Sequence, residues 1–153
     1  MSEKNKAVAR RFLDELWNRS NFAVVDELVA RDYDGHSSTV IRGPEGAVAF
    51  IPKARAAFPD FRFEVLDQIA EGDKVATRWK LAGTHEGPFQ GAPPSGRRIE
   101  MTGITIFRLA DGKLIEGWTK EDLFGLLQQI GALPVPVPGR TEAVPETTRE
   151  QVL

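Results

Sequence analysis

Residues 104–122 read ITIFRLADGKLIEGWTKED. Asp111-Gly112 stands between two runs of alternating apolar residues, and Asp-Gly in that setting is among the strongest short-range hairpin signals. A two-residue loop sets Ala110 against Lys113. It predicts the onward pairs Leu109–Leu114, Phe107–Glu116, Thr105–Trp118 and Met101–Asp122. One face then carries Met101, Thr105, Phe107 and Leu109 beside Leu114, Glu116, Trp118 and Asp122, an apolar wall with two carboxylates set into it. A carboxylate in apolar surroundings has a raised pKa and is suited to moving protons near neutral pH. Asp122 is therefore the candidate acid/base residue. It also precedes an apolar helical pattern that starts at Leu123, so it reads as an N-cap too, and the two roles are compatible.

Upstream of the hairpin the periodicity changes from helical to extended. Val8, Phe12 and Leu16, widened by Leu13 and Trp17, predict an amphipathic helix over 4–17. A shorter helix is expected over 22–29, and 31–38, which holds Tyr33 and His36, reads as irregular. Gly43-Pro44-Glu45 marks a third helix start, with a kink or break at Pro52 before the helix ends near Ala57. Strands are expected over 61–71 and 74–84, joined at Gly72-Asp73. Residues 85–97 form a Gly/Pro-rich loop, strands over 98–110 and 113–119 follow, and a last helix over 123–130 stops at Gly131. Residues 132–153 hold four of the ten prolines and read as a tail. The expected organisation is one domain over 1–131 and a Pro-rich tail over 132–153. Helices first and a meander second make an α+β domain. Long antiparallel strands coil, so the sheet is expected to curl around its helices and leave a cavity. The 98–110 strand is apolar on both faces, which predicts a partner subunit, most simply a two-fold homodimer.

Composition narrows the chemistry. The 153 residues are enough for one real core. A formal net charge of −2 and scattered basic residues argue against a nucleic-acid partner. No apolar run approaches the roughly 20 residues that span a bilayer, and the charged start MSEKNKAVARRF lacks a signal-peptide core, so the expected location is the cytoplasm. The chain has no cysteine, which excludes thiolate metal sites, iron–sulfur ligation and cysteine nucleophiles. Its two histidines, His36 and His85, are too few for a three-histidine zinc site. A two-histidine site with carboxylates is possible, but the spacing does not support it, and no metal is expected.

Several short motifs occur together: Ala57-Phe58-Pro59-Asp60-Phe61, the run Glu71–Trp79 (EGDKVATRW), Gly83-Thr84-His85-Glu86-Gly87, Pro94-Ser95-Gly96, Asp111-Gly112-Lys113, then Glu116, Trp118 and Asp122 before Leu127-Gln128-Gln129-Ile130-Gly131. With Asp32-Tyr33 and His36, these make residues 5–132 resemble the SnoaL-like polyketide cyclases of the nuclear-transport-factor-2-like superfamily. The resemblance implies a conical α+β fold, a curved antiparallel sheet packed with N-terminal helices, an enclosed apolar pocket, no cofactor and usually a dimer. It also implies ring closure of an aromatic polyketide ester by an intramolecular aldol step, with the family's acid/base aspartate matching Asp122. Where the family carries a pocket histidine on the penultimate strand, this chain has Thr105, Phe107 and Arg108.

The expected function is cofactor-independent acid/base catalysis on a hydrophobic ketone or ester. Asp122 removes a proton from carbon flanked by carbonyls, the enolate attacks a nearby carbonyl, and enclosure supplies proximity. Tyr33, His36, Arg78, His85, Phe107, Glu116 and Trp118 are the candidate substrate-binding residues. Arg78 would stabilise an oxyanion or form a structural pair with Asp67. Three alternatives stay open: an epoxide hydrolase using Asp67, Arg78 and Asp122 around a water, a ketosteroid-isomerase-like enzyme, and a non-catalytic small-molecule binder.

Overall fold

The structure is a computed structural model and describes residues 2–133. Most of the expected tail, from 134 onward, lies outside the described residues. α1 (Ser2–Phe12) runs into a π-helical segment, Leu13–Asn18. A 3-10 turn (Phe22–Val24) leads to α2 (Val25–Leu28), then to β1 (Val29–His36) and β2 (Val40–Arg42). α3 (Gly43–Ala49) and α4 (Ile51–Ala57) meet at Phe50. Pro52 sits in the first turn of α4, where its missing N–H costs nothing, so the expected break is there. The long strands are β3 (Arg62–Glu71), β4 (Lys74–Thr84), β5 (Arg98–Ala110) and β6 (Lys113–Glu121), followed by α5 (Leu123–Gln129). Gly131 terminates α5 at φ +80°.

All six strands form one sheet in the order β2-β1-β6-β5-β4-β3. The α+β class and the helix-packed curved sheet are as expected, but the sheet is mixed and stays open between β2 and β3. Residues 29–36 are a strand, not irregular chain, and β1 runs parallel to β6. Its partner lies far away in sequence, so local periodicity carries no sign of it.

The hairpin begins as predicted. Asp111 and Gly112 both have positive φ (50° and 76°), as a two-residue I′ turn requires, and Ala110 pairs with Lys113 and Leu109 with Leu114. The register then shifts by one at Ile115, an irregularity of the β-bulge kind. Arg108 pairs with Glu116, Phe107 with Gly117, Ile106 with Trp118, Thr105 with Thr119 and Gly103 with Glu121. A one-residue slip moves every later side chain to the opposite face. The expected pairs Phe107–Glu116, Thr105–Trp118 and Met101–Asp122 are therefore replaced, and Glu116 and Trp118 leave the wall that holds Phe107.

The concave side next to α1 is filled by rings. Phe12 meets Phe107 edge-on at 5.6 Å between centroids, Trp17 and Phe63 lie 5.0 Å apart, and Phe63 and Trp79 lie 4.6 Å apart. Two amides replace missing strands at exposed edges. Asn18 accepts from Phe63 N–H (2.7 Å) and donates to Phe63 C=O (2.9 Å). Gln129 of α5 does the same for Glu100, at 2.8 Å in both directions. The second amide holds α5 beside the part of β5 that β6 does not reach.

Candidate active site

Residues paired laterally across a sheet share a face, so the register sorts the candidates. One inward row runs Gln68–Thr77–Thr105–Thr119 and the next runs Val65–Trp79–Gly103–Glu121. The two rows are tied together. Trp79 Nε1 donates to Thr105 Oγ1 at 3.0 Å, and Thr105 Oγ1 lies 3.0 Å from Thr119 Oγ1. Trp79 is almost fully buried, and its six-membered ring lies over Gly103, where a Cβ would stand 2.3 Å from the ring. Glycine at 103 is what lets the indole cross the strand. The next position along that row is Glu121.

Glu121 is thus the carboxylate that the fold turns toward the concave wall. Desolvation raises its pKa above the usual glutamate value, although the residue as a whole is exposed. Tyr33 completes the wall from β1. It is 7% exposed, and its hydroxyl lies where a Cβ on Gly117 would be, 2.4 Å away. Burial, followed by the charges of Asp34 and Glu116, pushes the phenol up to about 12.

Asp122 is the N-cap of α5. Its Oδ1 accepts from Gly125 N–H at 2.9 Å, and its own N–H donates to Thr102 C=O at 3.0 Å, extending the β5–β6 ladder by one bond. The carboxyl group lies over Gly125, at the place a Cβ would occupy (2.3 Å), and the residue is exposed. Capping is therefore realised, and the Asp122 carboxyl group is exposed over the start of α5 rather than set into the apolar wall as expected, because the slip at Ile115 removes the Met101–Asp122 pair.

Phe107 (2% exposed) and Tyr33 are on the inner side as expected. His36, Glu116, Trp118 and Arg78 are not. His36, Glu116 and Trp118 lie on the outward face because of the slip at Ile115 and the pairing of β1 with β6. There His36 Nε2 is 3.1 Å from Glu116 Oε2, His36 stacks on Trp118, and Arg108 forks onto Glu116 Oε1 at 3.0 and 3.1 Å. Hydrogen bonds from His36 and then Arg108 hold the Glu116 carboxyl below the usual range. Asp34, His36 and Glu116 place three potential metal-ligand atoms within 4.8 Å of one another, but Arg108 already neutralises Glu116. Arg78 takes its structural reading: it is exposed and forked onto Asp67 at 3.0 and 2.9 Å. His85 is fully buried at the end of the inner row of β4. Its Nδ1 accepts from Ser95 N–H at 3.1 Å and lies 2.8 Å from Ser95 Oγ, which fixes the 85–97 loop.

The resemblance implies a closed oily chamber, whereas the best-formed clefts of the described residues are open. Two open clefts occur, one of about 480 Å³ between α1 and β3 and one of about 460 Å³ between the 90–95 loop and the end of α5. Neither includes Glu121, Thr119 or Tyr33. Rings fill the concave side near α1, and surface remains where Thr119 and Glu121 end the inner rows. Sequence reasoning missed Glu121 and Thr119. Cross-strand chemistry held a usable sign: the bulged register sets Arg108 against Glu116 and small Gly117 against Phe107, better partners than Phe107 with Glu116.

Comparison with known proteins agrees with this architecture. The family model for SnoaL-like polyketide cyclase matches residues 7–130. Aklanonic acid methyl ester cyclase DauD of Streptomyces sp. (strain C5) is 27% identical over 146 residues, covering 92% of this chain and 90% of its own. Aklanonic acid methyl ester cyclase DnrD of Streptomyces peucetius is 31% identical over 99 residues, 64% of this chain and 68% of its own. The crystal structure of a Jannaschia sp. CCS1 protein assigned to the same group superposes with a TM-score of 0.78 at 32% identity, over 88% of this chain and 96% of the other. By sequence and by fold, the chain belongs to the SnoaL-like polyketide cyclase family.

Proposed function

We propose that the chain closes a ring in a small, hydrophobic polyketide-type ester by cofactor-independent acid/base catalysis, an intramolecular aldol addition with Asp122 as the acid/base residue. The observation that carries this reading is the polar string Trp79–Thr105–Thr119, set into an otherwise apolar concave face beside the acidic end of β6. Such a face presents an apolar surface on which the substrate chain folds and a few fixed polar groups that orient its carbonyls. Two relatives named as cyclases of aklanonic acid methyl ester, and one named as a cyclase of nogalonic acid methyl ester, supply the substrate class. The epoxide-hydrolase arrangement is less well supported, because Asp67 and Arg78 bind each other on the outward face, away from Asp122.

The test is incubation of the purified protein with aklanonic acid methyl ester and with nogalonic acid methyl ester, followed by chromatography and mass spectrometry. Aldol closure gives a product of unchanged mass and altered retention. Asp122→Asn abolishes it in a protein that still melts cooperatively. Neither ester being altered, or the variant matching the parent, overturns the reading.

We also infer a cytoplasmic homodimer. An apolar row, Ile69–Ala76–Ile106–Trp118, crosses the outward face and reaches Val40 through His36. Ile69 and Val40 are 73% and 70% exposed, and a second copy seated on this row would cover them. No described helix is long and apolar enough to cross a membrane.

A further inference from the structure

The aldol cycle has two proton-transfer sites. A base takes the proton from carbon, and an acid delivers one to the oxygen that becomes alkoxide. Glu121 ends β6, and Asp122 follows it as the N-cap of α5. Glu121 occupies the last inward position, next in its row beyond Gly103 and the overlying Trp79 ring. Asp122 is exposed over the first turn of α5.

We propose that Glu121 is a second catalytic residue, the proton donor to the new alkoxide, while Asp122 acts as the carbon base. This assignment rests on the ring-closing reading above. The two adjacent acids sit in unlike surroundings, and that is how two carboxyl groups come to serve opposite roles. Glu121 follows Gly103 in the inward row, has no ion pair or hydrogen bond to another described residue, and its desolvation favours the protonated form. Thr119, in the adjacent inward row and backed by the buried Thr105, is half-exposed and offers a hydroxyl to a substrate carbonyl there.

The step balances without an added reagent. The carbon–hydrogen bond breaks and its proton goes to the Asp122 carboxylate. The enolate carbon forms the new carbon–carbon bond with the acceptor carbonyl. The π pair of that carbonyl becomes an alkoxide lone pair, which takes the proton of the Glu121 carboxyl. Asp122 ends protonated and Glu121 ionised, and one proton passed between them through water restores the starting state.

The experiment compares wild type, Glu121→Gln and Asp122→Asn for kcat on aklanonic acid methyl ester, with Tm measured for each. Glu121→Gln is expected to lower kcat by roughly 10²–10⁴-fold, the usual contribution of a positioned acid, with no loss of Tm. A Glu121→Gln protein within about threefold of wild type overturns the assignment while the ring-closing reading stands. If wild type is inert, that reading falls and the assignment falls with it; where wild type is active, the Glu121 side-chain ¹³C carboxyl resonance is a second readout. Titrating Asp122→Asn protein with the same ester should move the Glu121 signal and leave Glu116 in place. No movement of the Glu121 signal overturns the assignment.

Discussion

Replacing Gly117 by alanine tests the register of the sheet directly. In the structure the added Cβ would stand 2.4 Å from the Tyr33 hydroxyl and 3.2 Å from the Phe107 ring. Both side chains are buried, at 7% and 2% exposure. Gly117 lies inside β6 and has no positive φ, so its backbone tolerates alanine and the test concerns space alone. Overpacking of this kind costs about 1–3 kcal/mol. The backbone entropy gained on replacing glycine returns about 0.5–1 kcal/mol. The net loss is therefore on the order of 1–2 kcal/mol, or roughly 3–10 °C in Tm for a domain of this size. The clashing atom is a single oxygen, so Tyr33→Phe should rescue it. The double variant Gly117→Ala/Tyr33→Phe recovers most of the loss, and the cycle shows a clear coupling energy. Thermal denaturation followed by circular dichroism reads all four proteins. In the unbulged hairpin predicted from sequence, residue 117 would pair with Ile106 and face outward, where a methyl group meets nothing. A Gly117→Ala protein as stable as wild type, or losses that simply add, would refute the bulged register and the placement of Glu121 that follows from it.

Other consequences are equally specific. Tyr33 is the only tyrosine in the chain, so an ultraviolet titration reports it alone. The phenolate should appear with a midpoint of about 12, well above the ordinary value of about 10, and a midpoint near 10 would place the ring in water. The sign for stability follows: a raised phenol contributes fully below the unfolded pKa and loses that contribution as pH rises through the folded one. Glu121 has a raised carboxyl, so its contribution is intact in acid and lost as pH rises through its folded pKa. Glu121→Gln should therefore raise Tm at neutral pH and leave it unchanged in acid, measured by melting across pH, and a neutral-pH loss would contradict the desolvated placement. Arg78→Ala removes an exposed pair and should leave Tm within about 2 °C with catalysis intact; lost turnover would return Arg78 to the site. Ile106→Glu puts a charge into the outward apolar row and should convert a dimer to monomer by light scattering, whereas an unchanged mass would remove that row as the interface.

Much of the scaffold is legible in the sequence because its causes are local. Asp111-Gly112 sets its own turn, Pro52 starts its own helix, Gly131 ends one, and the alternation of β3, β4 and β5 needs no distant partner to be seen. The parts that escape are those with distant causes. β1 is a strand because Gly35 and His36 meet Gly117 and Trp118, and nothing within Arg31-Asp32-Tyr33-Asp34 announces that pairing. The slip at Ile115 carries no glycine or proline mark, yet it decides which acids face inward. Extending the hairpin without it puts Glu116 and Trp118 on the wall and misses Glu121. Asp122 illustrates the remaining ambiguity: sequence marks both a cap and an acid/base group, and the geometry supplies the cap bond to Gly125.

Glu116 and Glu121 lie five residues apart on β6, so they fall on opposite faces in either register. One ¹³C-detected titration of the two side-chain carboxyl groups therefore tests most directly which acid the bulge turns inward. With the slip at Ile115, Glu121 titrates above the ordinary glutamate value and Glu116, held by His36 and Arg108, titrates below it. The reverse order, Glu116 high and Glu121 low, would contradict the inward placement of Glu121 and the catalytic assignment built on it.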